Sequence, residues 1–104
     1  MITDNAAGSR YEIHEDGVLA GIAAYRLTGA TITFHHTEVP PEFGGRGLAL
    51  ELVSHALADA RARGLAVVPL CPYVRRVIAR APERFLDLVP AGERERLGLP
   101  LGEP

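Results

Sequence analysis

The fold of this protein is decided by residues 36–74, which read HTEVPPEFGGRGLALELVSHALADARARGLAVVPLCPYV. The β-branched run before this stretch ends at the two prolines, because proline cannot donate a hydrogen bond to a sheet. A glycine-rich turn follows. Apolar residues at three- and four-residue spacing then predict a helix that ends at Gly64. The apolar run 65–70 predicts a buried strand, parallel to the strand before the turn, with the helix as the crossover.

Three strand-like segments precede this stretch, at residues 10–14, 18–27 and 30–39. They are rich in apolar and β-branched residues. Short glycine turns at residues 16–17 and 28–29 separate them, which is typical of hairpins. We therefore expect an antiparallel meander, preceded by a small, polar and frayed segment at residues 1–9.

A second helix is predicted over residues 73–80, with Pro72 at its start, and a further helical turn after Pro82. The predicted fold class is α+β, with a mixed sheet and the order β-β-β-α-β-α. The predicted domain covers residues 10–89. Residues 1–9 form a flexible N-terminus, and residues 90–104 form a Gly/Pro-rich tail with a short helix.

Composition limits the classes of function that this chain can have. It has 104 residues, 47% of them apolar, and a net charge of -2, so we expect one domain with one modest core. All eleven basic residues are arginine. No basic block indicates a nucleic-acid partner, and no apolar stretch is long enough for a membrane. A single cysteine excludes a cysteine-rich zinc site, and we expect no metal and a cytoplasmic location.

The glycine-rich turn has the composition of a phosphate-binding loop. Gly44, Gly45 and Gly47 allow close approach of the backbone, and the N–H groups of the next helical turn point outward together. Arg46 adds a positive charge. The Walker pattern needs a lysine that this chain lacks, and the dinucleotide pattern needs a glycine at position 50. A turn that binds nothing remains the alternative.

With GRGLA at 45–49, HTEVPPEF at 36–43 and PLCPYV at 69–74, the chain resembles the compact GCN5-related N-acetyltransferases of the YjdJ type. The resemblance covers residues 10–89. It implies a fold without the early helices of larger members. The family motif is Arg/Gln-x-x-Gly-x-Gly/Ala, which places its conserved glycine on Gly47 and its last residue on Ala49. Its first position falls on Gly44, a departure that removes one side-chain contact to the pyrophosphate.

The resemblance implies acetyl-CoA as the donor and an amine acceptor, either a protein or a small molecule. In this family the pantetheine arm lies between the third strand and the strand after the main helix. The residues implied to bind the cofactor are Thr37, Val39, Gly44, Gly45, Arg46, Gly47, Leu48, Ala49 and Arg76. Arg75 and Arg80 lie on the same helix as Arg76, and a solvated helix face is the alternative for all three.

Four residues near the thioester are candidates for catalysis. Glu38 and His36 are two apart on one strand, so both side chains face the same side, and either is a candidate base. Cys71 either takes the acetyl group as a nucleophile or fills space beside the pantetheine. Tyr73 either protonates the leaving thiolate or packs in its helix.

Three functions of different classes remain open from the sequence. The first is direct transfer of an acetyl group to an amine. The second is a module that binds CoA or acyl-CoA without efficient catalysis, and the third is an interaction domain with no ligand. The sequence does not indicate an oligomeric state.

Overall fold

The computed structural model describes residues 1–101, which form a five-stranded sheet and four helices. The strands are β1 (Ile2–Asn5), β2 (Arg10–Glu15), β3 (Val18–Thr28), β4 (Thr31–Glu38) and β5 (Ala66–Pro69), and the helices are α1 (Leu48–Ala62), α2 (Pro72–Arg80), α3 (Pro82–Phe85) and α4 (Ala91–Arg96). Short 3₁₀ turns lie at Ala6–Gly8, Pro41–Phe43 and Leu86–Leu88.

The strands follow one another across the sheet in the order β1-β2-β3-β4-β5. Every neighbouring pair is antiparallel except β4 and β5, which are parallel with α1 as the crossover. The predicted α+β class and the mixed sheet are therefore confirmed. The observed order contains one strand more than the predicted β-β-β-α-β-α.

The additional strand, β1, shows that the prediction of a frayed segment at residues 1–9 is wrong. Ile2 pairs with Ile13 of β2, and Asn5 pairs with Arg10. The Asp4 carboxylate accepts a hydrogen bond of 2.6 Å from the hydroxyl of Tyr25. These partners are distant in sequence, and the segment itself is short and polar, so local propensity gave no sign of a strand.

The core lies between one face of the sheet and α1. Tyr11, Tyr25 and Phe34 form an aromatic cluster on this face, with ring centroids 5.5 to 6.3 Å apart. The apolar side of α1 packs against them through residues that are all buried, namely Leu48, Leu52, Val53, Ala56, Leu57 and Ala60. The opposite face of the sheet is partly open to solvent. Alternate residues such as Glu12, Ile22 and Thr33 lie there, half-buried.

The end of the described chain packs more closely than the predicted tail. The short helix predicted after residue 90 is α4, and Leu99 beyond it is buried in the core. The Nε of Arg94 donates to the carbonyl oxygen of Val89 at 2.7 Å. The last part of the predicted tail, residues 102–104, lies outside the described residues. Within residues 1–101, no helix is both long enough and apolar enough to span a membrane.

A polar cluster joins β1 and the meander to the second half of α1. The Tyr11 hydroxyl donates to Asp59, and Arg63 Nη1 contacts Asp4 at 3.3 Å and Asp59 at 3.4 Å. Burial and, to a smaller extent, the hydrogen bond to Asp59 raise the pKa of Tyr11 above its usual range. Burial and then the Asp4 carboxylate raise the pKa of Tyr25 to about 12. Both phenols therefore favour the neutral form in the fold.

Tyr25→Phe removes the hydroxyl that holds Asp4 of β1. We expect the free energy of unfolding to fall by about 1–3 kcal/mol at neutral pH, because a hydrogen bond to a charged acceptor is lost. The raised pKa stabilises the fold fully below about pH 10, the unfolded value, and this contribution is lost as pH rises toward 12. Urea unfolding at pH 7, 10 and 11.5 should therefore show a smaller alkaline loss in the variant. An equal loss in both proteins would contradict the assignment.

Candidate functional site

Strand β4 continues beyond the end of its pairing with β5. The last pair in register is Phe34 with Pro69, after which the Cys71 N–H donates to the carbonyl oxygen of Phe34 at 2.9 Å. Residues 35–38 of β4 have no partner on β5 in the described chain. A β-bulge lies here, since Tyr25 pairs with Phe34 but Ala24 pairs with His36. The two strands thus separate and leave one edge of β4 open.

The bulge sorts the side chains of β4 onto the two faces of the sheet. Thr37 lies on the core face, where its Oγ1 is 3.4 Å from the Sγ of Cys71. The thiol of Cys71 is buried, with 4% of the residue exposed. His36 and Glu38 lie on the open face, where Nε2 and Oε1 are 3.2 Å apart. The side chains are 55% and 64% exposed respectively, so the base candidates share a face, as their spacing predicts.

The glycine turn leads directly into α1. Gly45 and Gly47 have φ of +77° and +73°, which is the left-handed region that favours glycine. Gly47 is the N-cap and has no side chain to cap the helix, and the first helical hydrogen bond runs from Glu51 N–H to Gly47. The N–H groups at positions 48–50 therefore have no acceptor within the helix. Free N–H groups at a helix N-terminus are the kind of donors that bind a phosphate group.

The other predicted residues of the turn differ in what they offer a ligand. Gly44 has an extended backbone, and its N–H already donates to the carbonyl oxygen of Pro41 at 3.0 Å. The side chain of Leu48 is buried in the core, so only its backbone is available. The Arg46 guanidinium lies 5.4 Å from the centroid of the Phe43 ring, which holds its charge beside the turn.

A groove of about 280 Å³ lies between α1 and the helices α2 and α3. Leu50, Ser54, Tyr73, Arg76, Val77, Arg80, Ala81, Arg84 and Phe85 line it. Three arginines border the groove, and none forms an ion pair with another described residue. The groove begins at Leu50 in the first turn of α1, so its positive charge lies next to the free N–H groups of that turn.

The structure separates the arginines that the sequence grouped together. Arg76 and Arg80 line the groove, whereas Arg75 Nη1 donates to the carbonyl oxygen of Leu70 at 3.0 Å and holds the end of β5. Sequence reasoning missed Arg84, which lies on α3 with its guanidinium 4.6 Å from the Phe85 ring centroid. The regular four-residue spacing of arginines 76, 80 and 84 was the available signal.

Gly21 of β3 allows the chain after β4 to lie close to the sheet. A Cβ at this position would be 3.0 Å from Cγ2 of Val39, 3.1 Å from Cγ2 of Ile13 and 3.2 Å from the carbonyl oxygen of Glu38. Any side chain here would displace the end of β4. Gly21 therefore helps to position the open edge, although it touches no reacting group.

A family model for GCN5-related N-acetyltransferases matches residues 10–88, most of the chain. The chain belongs to the GCN5-related N-acetyltransferase family. The family predicted from the glycine turn and its flanking segments is thus confirmed, and with it acetyl-CoA as the donor that this family uses. The YjdJ subtype stays a prediction. No match was found among curated proteins.

Solved structures show the same N-acetyltransferase fold. A GCN5-like protein from Staphylococcus aureus, solved by NMR, has a TM-score of 0.65 and 20% identity, over 86% of this chain and 87% of that one. A Brucella melitensis acetyltransferase in complex with acetyl-CoA has a TM-score of 0.53 and 22% identity, over 68% of this chain and 53% of its own. The Escherichia coli ribosomal-protein-S18-alanine N-acetyltransferase has a TM-score of 0.55 and 21% identity, over 58% of this chain and 39% of its own.

The share of each neighbour that the chain covers differs widely. The chain spans nearly all of the S. aureus protein but only 39% of the E. coli enzyme and 53% of the Brucella enzyme. At identities near 20% these neighbours establish the fold. The acceptors of the larger enzymes therefore say nothing about the acceptor of this chain.

Gly21→Ala should lower the free energy of unfolding by about 1–3 kcal/mol through overpacking against Val39 and Ile13. Gly92→Ala is the matched control, because a Cβ there meets nothing within 4 Å. Urea unfolding measures the stability of both variants, and amide NMR shifts report on Glu38 and Val39. A Gly21 variant as stable as the control, with unshifted amides, would rule out the close contact.

Proposed function

We propose that this protein transfers an acetyl group from acetyl-CoA to an amine. The observation that carries the proposal is the open edge of β4. Nine residues, 39–47, connect its last residue, Glu38, to the first turn of α1. An extended, amide-containing chain can pair with the open strand edge, and a pyrophosphate can bind at the helix N-terminus. Acetyl-CoA carries both groups, with the pantetheine arm joined directly to the pyrophosphate.

The described residues fit each part of this ligand. Backbone N–H groups at positions 48–50, with Gly45 and Gly47 free of side chains, would hold the pyrophosphate. The unpaired edge from Thr37 to Val39 would hold the pantetheine arm by backbone hydrogen bonds. Arg76 and Arg80 would hold the 3′-phosphate in the groove. Arg46 adds a second cation beside the turn.

When bound, acetyl-CoA supplies an acyl carbon that is activated as a thioester. Glu38 accepts the proton of the incoming ammonium, and His36, 3.2 Å away, passes it to solvent. The neutral amine then forms the C–N bond as the C–S bond breaks. The nitrogen then loses its second proton to water. Tyr73, in the first turn of α2, gives its hydroxyl proton to the leaving sulfur and recovers that second proton through water.

Cys71 has the position but not the partners of a nucleophile. Its Sγ contacts the Thr37 hydroxyl, and no histidine is hydrogen-bonded to it among the described residues. A catalytic thiol needs a base to form the thiolate. We therefore propose direct attack by the amine, with Cys71 filling the space where β4 and β5 separate.

A second candidate is a module that binds CoA without efficient catalysis. The specific observation in its favour is Gly44, which lacks the motif's first side chain and whose N–H is already bonded to Pro41. Turnover separates the two candidates, since both predict cofactor binding.

Gly45→Ala should weaken acetyl-CoA binding up to about tenfold, because an L-residue in the left-handed region costs about 1–2 kcal/mol. Gly29→Ala is the matched control, since Gly29 also has a positive φ with open space around it but lies in the β3–β4 turn. Calorimetric titration gives Kd, and thermal unfolding with saturating ligand gives the stabilisation. An equal change of Kd in both variants, or no binding by the parent protein, would argue against the cofactor site.

Glu38→Gln should lower kcat about a hundredfold, at the low end for a general base because the carboxylate is exposed. Cys71→Ala should leave kcat within a few fold of the value for the parent protein. His35→Gln, on the same strand as Glu38, serves as a control. Thiol release from acetyl-CoA across a panel of amines measures all three. Loss of activity in Cys71→Ala with full activity in Glu38→Gln would instead indicate an acetyl-enzyme route.

A further inference from the structure

A second, smaller cavity lies on the open face of the sheet beside Glu38. Its volume is about 110 Å³. Arg10, Leu19, Gly21, Ile22, Glu38 and Pro40 line it. It lies on the face of the sheet opposite Thr37 and Cys71, and the chemistry proposed above uses only one of its residues, Glu38.

The cavity has charges of opposite sign on two of its walls. Glu38 is on β4 and Arg10 is on β2, so the two backbones are separated by β3, about 10 Å in all. The groups do not pair with each other. Glu38 Oε1 is 3.2 Å from His36 Nε2, and Arg10 Nε donates to Glu12 Oε2 at 2.8 Å. The two Nη groups of Arg10 have no hydrogen-bond partner in the described part of the chain and can bind a carboxylate.

Between the charges the cavity is apolar. Ile22 of β3 is in register with Glu12 on one side and Glu38 on the other, so its side chain lies between the two charged strands. Leu19 and Pro40 complete the apolar walls. A ligand that spans the cavity therefore needs a cation at one end, an anion at the other, and little between them.

We infer that this cavity binds the acceptor, and that the acceptor is a small free amino acid. Its ammonium group would lie at Glu38 and its carboxylate at the Nη groups of Arg10. The volume of about 110 Å³ is well below the ~300 Å³ of a pocket for a larger ligand. The inference rests on the proposed transfer reaction, because it assigns the amine that Glu38 deprotonates.

The sharpest test compares alanine with alaninamide as acceptors for the parent protein. The two share their amine and size, and only the carboxylate differs. The amine of the amide is less basic, so more of it is unprotonated at pH 7.5, and reactivity alone favours the amide. We expect kcat/KM to be at least about tenfold higher for alanine, since its carboxylate gains a charge-assisted bond.

Arg10→Gln should raise KM for alanine about tenfold and lower kcat/KM for alaninamide much less, because a neutral amide oxygen gains less from the guanidinium than a carboxylate does. Arg10→Lys keeps the positive charge, so KM for alanine should rise less than in Arg10→Gln. This second variant keeps the test informative if Arg10→Gln does not fold. Arg26→Gln is the control, because Arg26 is an exposed arginine on β3 outside the cavity. Thermal unfolding of each variant, with and without acetyl-CoA, checks that the fold and the cofactor site are intact.

The outcomes distinguish the two levels of the proposal. If alaninamide, a diamine or a tetrapeptide with a free N-terminus is acetylated as well as alanine, the amino-acid assignment is overturned and the transferase stands. The same holds if Arg10→Gln leaves KM for alanine unchanged. If acetyl-CoA binds but no amine in the panel is acetylated, the proposed function fails and this inference fails with it.

Discussion

The rest of the molecule depends on where the pairing of β4 with β5 stops. Parallel strands need a crossover, and α1 is that crossover, so its N-terminus must lie beside the end of β4. The Cys71 N–H closes the ladder on Phe34 and turns the chain into α2. Beyond that bond one strand edge, one helix N-terminus and one helix-lined groove meet. No other place in the described chain brings three such features together.

Most of this arrangement could be predicted from local patterns. The spacing of apolar residues in α1 gave its length and buried face, because tertiary packing uses the same face that the period defines. Gly45 and Gly47 marked a turn where only glycine adopts the backbone without strain. The two-residue spacing of His36 and Glu38 placed them on one face, since side chains alternate along a strand.

What could not be predicted depends on contacts between distant residues. β1 forms because Asp4 and Asn5 find partners on β2 and β3, and a segment of four residues is too short for its own pattern to predict a strand. The bulge at the end of β4 decides on which face of the sheet the Thr37 side chain lies. No residue type in β4 requires a bulge at this position. Arg10 comes near Glu38 only because β2 and β4 flank β3. Register, rather than local propensity, therefore sets the candidate acceptor site.

The single cysteine is the N-cap of α2 and lies where the two strands separate, buried against Thr37. A thiol-modifying reagent therefore reaches it when the start of α2 moves away from β4. Its rate of labelling is then set by the local opening of the gap rather than by exposure in the resting fold. The labelling rate of Cys71, measured by mass spectrometry, therefore reports on motion at the candidate site without an added probe.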